Sequence, residues 1–402
     1  MEAETIILEG HIVDSLLLAK VLDTILDAGA DYHIIDFTIG RTPTDSSRAV
    51  IEVTASNNTT LQDLLDALQV HGANRVDDSD AVFSACDRDG VLPHDFTVTT
   101  NLDTDVRIDG RWLTVTNPEM DCAIVVDAAG ARTVPMHRVR AGDRVVVGRR
   151  GVRVHSLTPT TEGGAFEFMA SEVSTEKPKA LQLARVVDRM RAARERGRGI
   201  LVVCGPVVVH TGGAPHLARL VRDGWVDAIF SGNGFATHDI ESNVLGTSLG
   251  VSVAHGVSVE GGHTNHLRVI NDIRRYGSIA AAVADGYVTS GVMYECIRRG
   301  IPFVLGGSVR DDGPLPDTMT DVVAAADRMR EYVGGIDVAL MLATTLHGIA
   351  TGNLLPARVE TFCIDINPSV VTKLADRGTH QTMGIVTDIG PFLGDLAEQL
   401  GS

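Results

Sequence analysis

The chain has 402 residues, 44% hydrophobic and 22% charged, with 35 basic against 52 acidic side chains and a net charge of −17. That length allows two or three domains with a large core, and acidity spread along the chain disfavours a polyanion such as nucleic acid as partner. No apolar run approaches the roughly 20 residues of a membrane span, and Met1-Glu2-Ala3-Glu4 lacks a basic leader, so a cytoplasmic protein with no membrane partner is expected.

Five cysteines, Cys86, Cys122, Cys204, Cys296 and Cys363, form no C-x-x-C pair, which excludes a zinc knuckle or a disulfide framework and predicts buried thiols. Lysine occurs only at Lys20, Lys177, Lys179 and Lys373, leaving few candidates for Schiff-base chemistry.

Residues 1–78 read as a small α+β domain of ferredoxin-like or ACT-like type. Ile6 to Leu8 is a short strand; Ile12, Leu16, Leu17, Val21, Leu22, Ile25 and Leu26 keep helical spacing and stop at Gly29. Tyr32 to Ile39 and Ala49 to Val53 alternate as strands, and Leu61, Leu64, Leu65 and Leu68 mark a second helix. Residues 79–165 change character: Val106 to Ile108, Trp112 to Val115, Ala123 to Val126 and Arg144 to Val147 are short strands separated by D-G, N-P, A-G and A-G-D turns. This predicts a small all-β barrel or sandwich, followed by a connector at Thr161 to Ala165.

Residues 166–402 alternate helix and strand to the end. Strands are expected at Ile200 to Cys204, Val226 to Phe230, Pro302 to Leu305, Val338 to Leu342 and Val359 to Ile364. Helices are expected around Met190, at Pro215 to Arg222, Ile273 to Val283, Gly291 to Arg299, Val322 to Tyr332 and Pro368 to Ala375. Alternation of this kind gives βαβ crossovers and a parallel sheet of six or more strands. The fold class is therefore α/β, a C-terminal parallel-sheet domain preceded by a small α+β domain and a small all-β segment.

Polar, glycine-rich turns follow several of these strands. They are Cys204 to Gly213, Ser231 to Asp239, Gly306 to Asp317, Ala343 to Gly348, Cys363 to Ser369 and Val386 to Pro391, with Leu245 to Gly250 and Gly261 to His266 in the same half. Apolar strands that end in such turns present backbone N–H groups and side chains to a ligand at the carboxyl edge of a sheet, the pattern of nucleotide-binding enzymes. Neither G-x-G-x-x-G nor a Walker P-loop is present, so the sequence supports neither an ordinary Rossmann fingerprint nor a P-loop NTPase.

Asp365 ends a strand, where it can accept hydrogen bonds from both hydroxyls of an adenosine ribose or cap the helix from Pro368; the sequence allows either. Asn233 suits a nicotinamide or ribose contact, or a left-handed turn between two glycines, and Asp388 could do either job of Asp365. The histidines of this half, His210, His216, His238, His255, His263, His266 and His347, lack metal-ligand spacing, and no metal is expected. A polar pocket of His263, Asn265 and Glu295 for an amino-acid substrate fits their types better.

Over essentially its full length the chain resembles the family named for the conserved region of lysine-oxoglutarate reductase/saccharopine dehydrogenase (LOR/SDH) enzymes. Within that family it is most similar to the archaeal-type, NAD-dependent ornithine cyclodeaminases, also found as the C-terminal part of cyanobacterial arginine dihydrolase/ornithine cyclodeaminase proteins. The segments that carry the likeness are N-P-E-M-D-C (Asn117 to Cys122), C-G-P-V-V-V-H-T-G-G, S-G-N-G-F-A-T-H-D-I-E, G-G-S-V-R-D-D-G-P-L-P-D and C-I-D-I-N-P-S. The C-terminal half also resembles deoxyhypusine synthase, which implies a Rossmann-type, NAD-binding fold and says nothing of the reaction.

The resemblance implies NAD as cofactor, held by Asn233, Gly234, Asp312, Leu346, His347, Asp365, Asn367, Asp388 and Ile389. Asp312 is preferred to Asp311 because it directly precedes Gly313. It implies ornithine as substrate, a place in arginine/ornithine metabolism and proline biosynthesis, and a homodimer or homotetramer. No counterpart of the arginine-dihydrolase module is present. Glu295, His263 and Asp239 are the candidates for the proton steps of such a lyase, with Cys296 and Lys373 behind them. Three other readings stay open: an amino-acid oxidoreductase of saccharopine dehydrogenase type, a non-catalytic NAD-binding regulator, and an alkyl transferase.

Overall fold

The period-two pattern of S-R-A-V-I-E-V-T-A builds a strand whose alternate side chains, Ala49, Ile51 and Val53, are fully buried. The structure is a computed structural model and describes residues 2–13, 16–42, 45–69, 71–76, 79–155, 179–248, 251–252, 264–311, 313–377 and 382–401. The predicted connector Thr161 to Ala165 lies outside the described residues, as do His255, His263 and Asp312. Two units are distinguished, Met1–Ala170 with Leu355–Arg358, and Ser171–Leu354 with Val359–Ser402.

The first unit begins with β1 (Glu2–Gly10), α1 (Leu17–Asp27), β2 (Asp31–Thr38), β3 (Ser47–Ala55), α2 (Asn58–Gln69) and β4 (Ala73–Arg75). Its antiparallel sheet has the order β2-β3-β1-β4. Ile6, Leu8, Ile51 and Val53 of the sheet meet Val21 and Ile25 of α1 and Leu61, Leu65 and Leu68 of α2 in one core. Next come β5 (Val82–Ala85), β6 (Thr104–Ile108), β7 (Arg111–Thr114), β8 (Ala123–Asp127), β9 (Gly130–Val134), β10 (Arg144–Val147) and β11 (Val152–Val154). They form two small antiparallel sheets, β5-β10-β8-β9 and β11-β6-β7. The D-G turn works as read: Asp109 and Gly110 both take positive φ, 50° and 75°, which a tight hairpin between β6 and β7 requires. The N-P-E-M-D-C segment is a turn pinned within this unit, where the Thr99 hydroxyl donates to the Glu119 carbonyl at 2.6 Å and accepts from the Cys122 N–H at 3.0 Å.

The second unit is built from α3 (Lys179–Glu195), β12 (Gly199–Cys204), α4 (Val207–His210), α5 (Ala214–Arg222), β13 (Ala228–Gly232), α6 (Asn233–Leu245), β14 (Thr247–Ser248) and β15 (Val251–Ser252). It continues through α7 (Asn265–Tyr276), α8 (Ile279–Ala284), α9 (Val292–Arg299), β16 (Phe303–Gly306), β17 (Thr318–Met319) and α10 (Val322–Val333). It ends with β18 (Ile336–Leu342), α11 (Leu346–Leu354), β19 (Glu360–Asp365), α12 (Pro368–Arg377), β20 (Thr382–Val386) and α13 (Ile389–Leu400). Seven strands pair in parallel in the order β17-β16-β13-β12-β18-β19-β20. The inner strands are apolar without alternation because helices cover both faces of the sheet; every residue from Ile200 to Cys204 is fully buried.

One expected helix, Ile273 to Val283, is two. Gly277, at φ 83°, ends α7, and the Ser278 hydroxyl starts α8 by accepting from the Ala281 N–H at 3.0 Å. All five cysteines are free and buried. Among the described residues no helix is long and apolar enough to cross a membrane.

Leu340 of β18 is fully buried and sits beside Val202 of β12 at the centre of the sheet. Leu340→Ala is expected to lower the stability of the second unit by about 3 kcal/mol, read from its urea midpoint. A loss under about 1 kcal/mol would show that this position repacks freely.

Candidate active site

Strand order reverses between β12 and β18: from β12 the chain adds β13 and β16 on one side, and later β18, β19 and β20 on the other. Loops leaving such a switch point diverge above and below the sheet and open a crevice at the carboxyl ends of the strands. Here the two loops start in contact. A Cβ on Gly205 would collide with the Ala343 carbonyl, the Gly205 N–H donates to Leu342 O at 3.0 Å, and the Ala343 N–H donates to Ile364 O at 2.9 Å. Ala343 takes a left-handed φ of 47° to make this turn. The buried Ser231 hydroxyl ties β13 to the Cys204 carbonyl of β12.

Other loops reach the same edge. A Cβ on Gly232 would lie 3.0 Å from the His347 ring and one on Gly306 would lie 3.4 Å from it, so His347, in the first turn of α11, covers the ends of both β13 and β16. A Cβ on Gly390, in the first turn of α13, would collide with the Thr211 carbonyl. Burial holds His347 below the usual imidazole range, and the Asp311 carboxylate opposes that shift.

The described residues among those predicted to hold a dinucleotide fall along this rim. Asn233 is not in the left-handed region; it opens α6, is 4% exposed, and its Oδ1 accepts from the Leu315 N–H at 2.9 Å and the Thr318 hydroxyl at 3.1 Å. Gly234 lies against Pro206. Leu346 is exposed at the start of α11. Asp365, half-buried at the end of β19, closes a turn by accepting from the Asn367 N–H at 2.8 Å; the cap of α12 is Asn367, which accepts from the Ser369 N–H at 3.0 Å. Asp388 caps α13 by accepting from the Gly390 N–H at 3.1 Å, and Ile389 is buried behind it. The N-termini of α6, α11, α12 and α13 all lie at this edge, a field suited to phosphate oxygens.

Of the residues predicted for proton transfer, Asp239 and Glu295 are described, and each is held by a contact away from that edge. Asp239 is fully buried, and its oxygens accept from the Val292 N–H at 3.0 Å and the Met293 N–H at 2.8 Å. It thereby caps α9 from a neighbouring helix, because Gly291, at φ 104°, has no side chain to do so. Burial raises its pKa to about 6 against the two bonds. Glu295 pairs with Arg222 at 3.0 Å, in the layer where α9 packs on α5. Asn265 does join a polar cluster, without Glu295.

That cluster holds residues the sequence reading passed over. His238 Nδ1 lies 2.8 Å from Glu241 Oε2; Glu241 Oε1 accepts from the Thr247 hydroxyl at 2.8 Å, which accepts from Asn265 Nδ2 at 2.8 Å. His210 Nδ1 lies 2.7 Å from the Ser248 hydroxyl, and its ring is 4.9 Å from that of His238. Desolvation, then the neighbouring His238, push the His210 pKa down to about 4, with Glu241 opposing. A usable signal was present: Asn233, Thr237 and Glu241 recur every fourth residue, a polar stripe down one side of α6, and all three are buried. Among the described residues no group of three or more His, Cys, Asp or Glu is placed to hold a metal ion.

Residues 184–396 match the family described as arginine dihydrolase ArgZ-like, C-terminal, Rossmann fold. Residues 103–183 match the first region of that C-terminal part, and residues 3–102 the LOR/SDH bifunctional enzyme conserved region. The chain belongs to this ArgZ-like, LOR/SDH family. An ornithine cyclodeaminase of Methanocaldococcus jannaschii is 51% identical over 401 residues, covering 98% of this chain and 95% of that protein. The apo crystal structure of ArgZ, an arginine dihydrolase from the ornithine–ammonia cycle in cyanobacteria, matches 100% of this chain with a TM-score of 0.86 at 39% identity. The ternary complex of AgrE with ornithine and NAD+ matches 100% of it with a TM-score of 0.55 at 42% identity; AgrE is a bifunctional arginine dihydrolase/ornithine cyclodeaminase of Nostoc sp.. The chain spans 58% of the ArgZ chain and 57% of the AgrE chain.

The buried, neutral His210 gives stability a signed pH dependence. A free histidine titrates near 6.5 and His210 near about 4, so its contribution is full above pH 6.5 and is lost as pH falls toward 4. Asp239 has the opposite sense, losing stability as pH rises from 3.8 toward about 6, and stays constant when only His210 is changed. His210→Gln is expected to flatten the acid fall of the urea midpoint below about pH 6.5; an unaltered slope would remove His210 as its source.

Proposed function

We propose that this protein is an NAD-dependent ornithine cyclodeaminase, converting L-ornithine to L-proline and ammonia with no net redox change. The observation that carries this reading is the rim at which loops from β12, β13, β16, β18 and β20 meet, in a chain 51% identical to an ornithine cyclodeaminase over nearly its whole length. The residues present fit a dinucleotide. Gly232 and Gly306 leave room where any Cβ would press on His347, helix N-termini face the edge, and a carboxylate stands at the end of β19.

In this reading Asp365 accepts from the adenosine ribose, while the backbone around Asn233, Gly234, Asp388 and Ile389 meets the diphosphate and the second ribose. Leu346, Asn367 and Asp312 complete the contacts, and His347, kept neutral by burial, lies over the nicotinamide end. NAD, once bound, supplies a reversible two-electron acceptor at the substrate Cα. The chain's own task is to hold Cα in line, remove a proton from the α-ammonium, bring the δ-amine within reach and keep water from the imine. Asp239 serves this site by fixing α9 against α6 rather than by touching substrate, and Glu295 by joining α9 to α5. The protein acts in the cytoplasm, in arginine and ornithine metabolism and proline biosynthesis, as a homodimer or homotetramer.

Purified protein given L-ornithine and catalytic NAD is expected to release proline and ammonia in equal amounts without accumulating NADH. NADH accumulation with lysine or saccharopine, and no proline from ornithine, would replace this reading by an amino-acid oxidoreductase. Asp365→Ala is expected to weaken NAD binding by about 10-fold or more, the loss of a charge-assisted hydrogen bond of roughly 1.5–3 kcal/mol. Unchanged affinity in a fluorescence titration would take Asp365 off the ribose.

A further inference from the structure

Glu241 is a carboxylate with no exposed surface, the third member of a stripe along α6, Asn233, Thr237, Glu241, that is polar and buried. Burying such a group is costly unless its oxygens are bonded. Both are: Oε1 accepts from the Thr247 hydroxyl and Oε2 meets His238 Nδ1. Since the carboxylate accepts there, His238 carries its neutral-state proton on Nδ1, and the lone pair is on Nε2. A base oriented from behind by a carboxylate is the arrangement that proton-transfer catalysis uses.

Around His238, each packed element contributes a polar group. The ring of His210, from α4, lies 4.9 Å away, and that of His266, from α7, lies 6.1 Å away. Arg268 of α7 donates to the Asn265 side-chain Oδ1 at 3.3 Å. The Thr237 hydroxyl, in the next position of α6, is 2% exposed and has no partner among the described residues, so it has bonding capacity left for a ligand. The cluster also adjoins the crevice. α4 and α6 both leave the carboxyl edge, Pro206 touches Gly234, and His238 stands about 7.5 Å along the helix from Asn233 at 1.5 Å per residue.

We propose that His238, held by Glu241 as its positioning residue, is the general base and acid that moves protons between the two nitrogens of the amino-acid substrate. This rests on the cyclodeaminase reading above. Nε2 takes a proton from the α-ammonium: an N–H bond breaks, an Nε2–H bond forms, and the positive charge settles beside the Glu241 carboxylate. The free α-amine is then the species that can be oxidised at Cα. After the δ-amine closes the ring, the imidazolium gives its proton to the α-nitrogen and accepts one from the ring nitrogen, so the α-nitrogen leaves as neutral ammonia. Once Cα is reduced again, the proton returns to the ring amine of proline and His238 ends as it began. The neutral His210 adds no positive charge to the wall it forms beside His238.

The test compares full-length wild type with His238→Gln, Glu241→Gln and Glu241→Asp. For His238→Gln, kcat for proline formation is expected to fall by about 10²–10³-fold, the acidic limb of the kcat/KM profile to vanish, and NAD affinity to stay within about twofold of wild type. For Glu241→Gln the limb is expected to move to lower pH, with partial return in Glu241→Asp. A His238→Gln enzyme within about threefold of wild type, with its pH profile intact, would overturn the proposal. Should the variants fail to fold, ¹⁵N-histidine spectra of the wild type decide: a neutral imidazole protonated on Nδ1 is expected, and finding every neutral imidazole protonated on Nε2 would refute it. A wild type that makes no proline sinks the cyclodeaminase reading instead, a result separate from any variant's behaviour.

Discussion

The contact of Gly205 with Ala343 is the constraint on which the site depends. These residues leave adjacent parallel strands, β12 and β18, from which the sheet grows in opposite directions. Only a residue without Cβ can sit at Gly205, and Ala343 must adopt a left-handed backbone to face it. Once that pair is fixed, the loop after β12 is directed across the edge to α13, where Gly390 admits the Thr211 carbonyl, and the loop after β18 swings His347 back over β13 and β16. A rim drawn from five strands follows from a few close backbone approaches, and a parallel sheet buried on both faces supplies the rigidity that holds them.

The same economy of contacts separates two buried acids of α6. Asp239 and Glu241 are two residues apart on α6 and therefore point to different sides of the helix. Asp239 faces the N-terminus of α9 and spends its oxygens on two backbone N–H groups, while Glu241 faces α4, α7 and β14 and holds a histidine. Burial alone does not distinguish them, since both have no exposed surface. What differs is the partner: a capping carboxylate has no proton to pass on, and a carboxylate bonded to an imidazole sets that ring's tautomer and basicity.

Much of the fold was legible because its signals are local. Alternation in β3, continuous apolar runs in β12 and β18, and the Asp109-Gly110 turn each follow from near neighbours in the chain. The break at Gly277-Ser278 was missed because apolar spacing runs on from Ile273 to Val283 across a glycine that the periodicity by itself tolerates. For the site, glycine-rich strand ends marked the rim, and Asn367 rather than Asp365 proved to be the helix cap. His238 was named among the histidines but given no role, and Glu241 lies beyond the strand-end turn Ser231 to Asp239; only their position inside a helix that is polar and buried on one side gives them away.

The sequence by itself determined the order of the elements, the parallel sheet, the edge at which a ligand meets it and the family to which the chain belongs. Those properties depend on residue type, spacing and strand-terminal glycines, which are all one-dimensional. Tertiary structure alone decided which carboxylate caps a helix, which one orients an imidazole, and which histidines share a wall. Such roles depend on a few ångströms between groups tens of residues apart, as between His210 and His238 or Asp239 and Met293, and no local pattern encodes that separation.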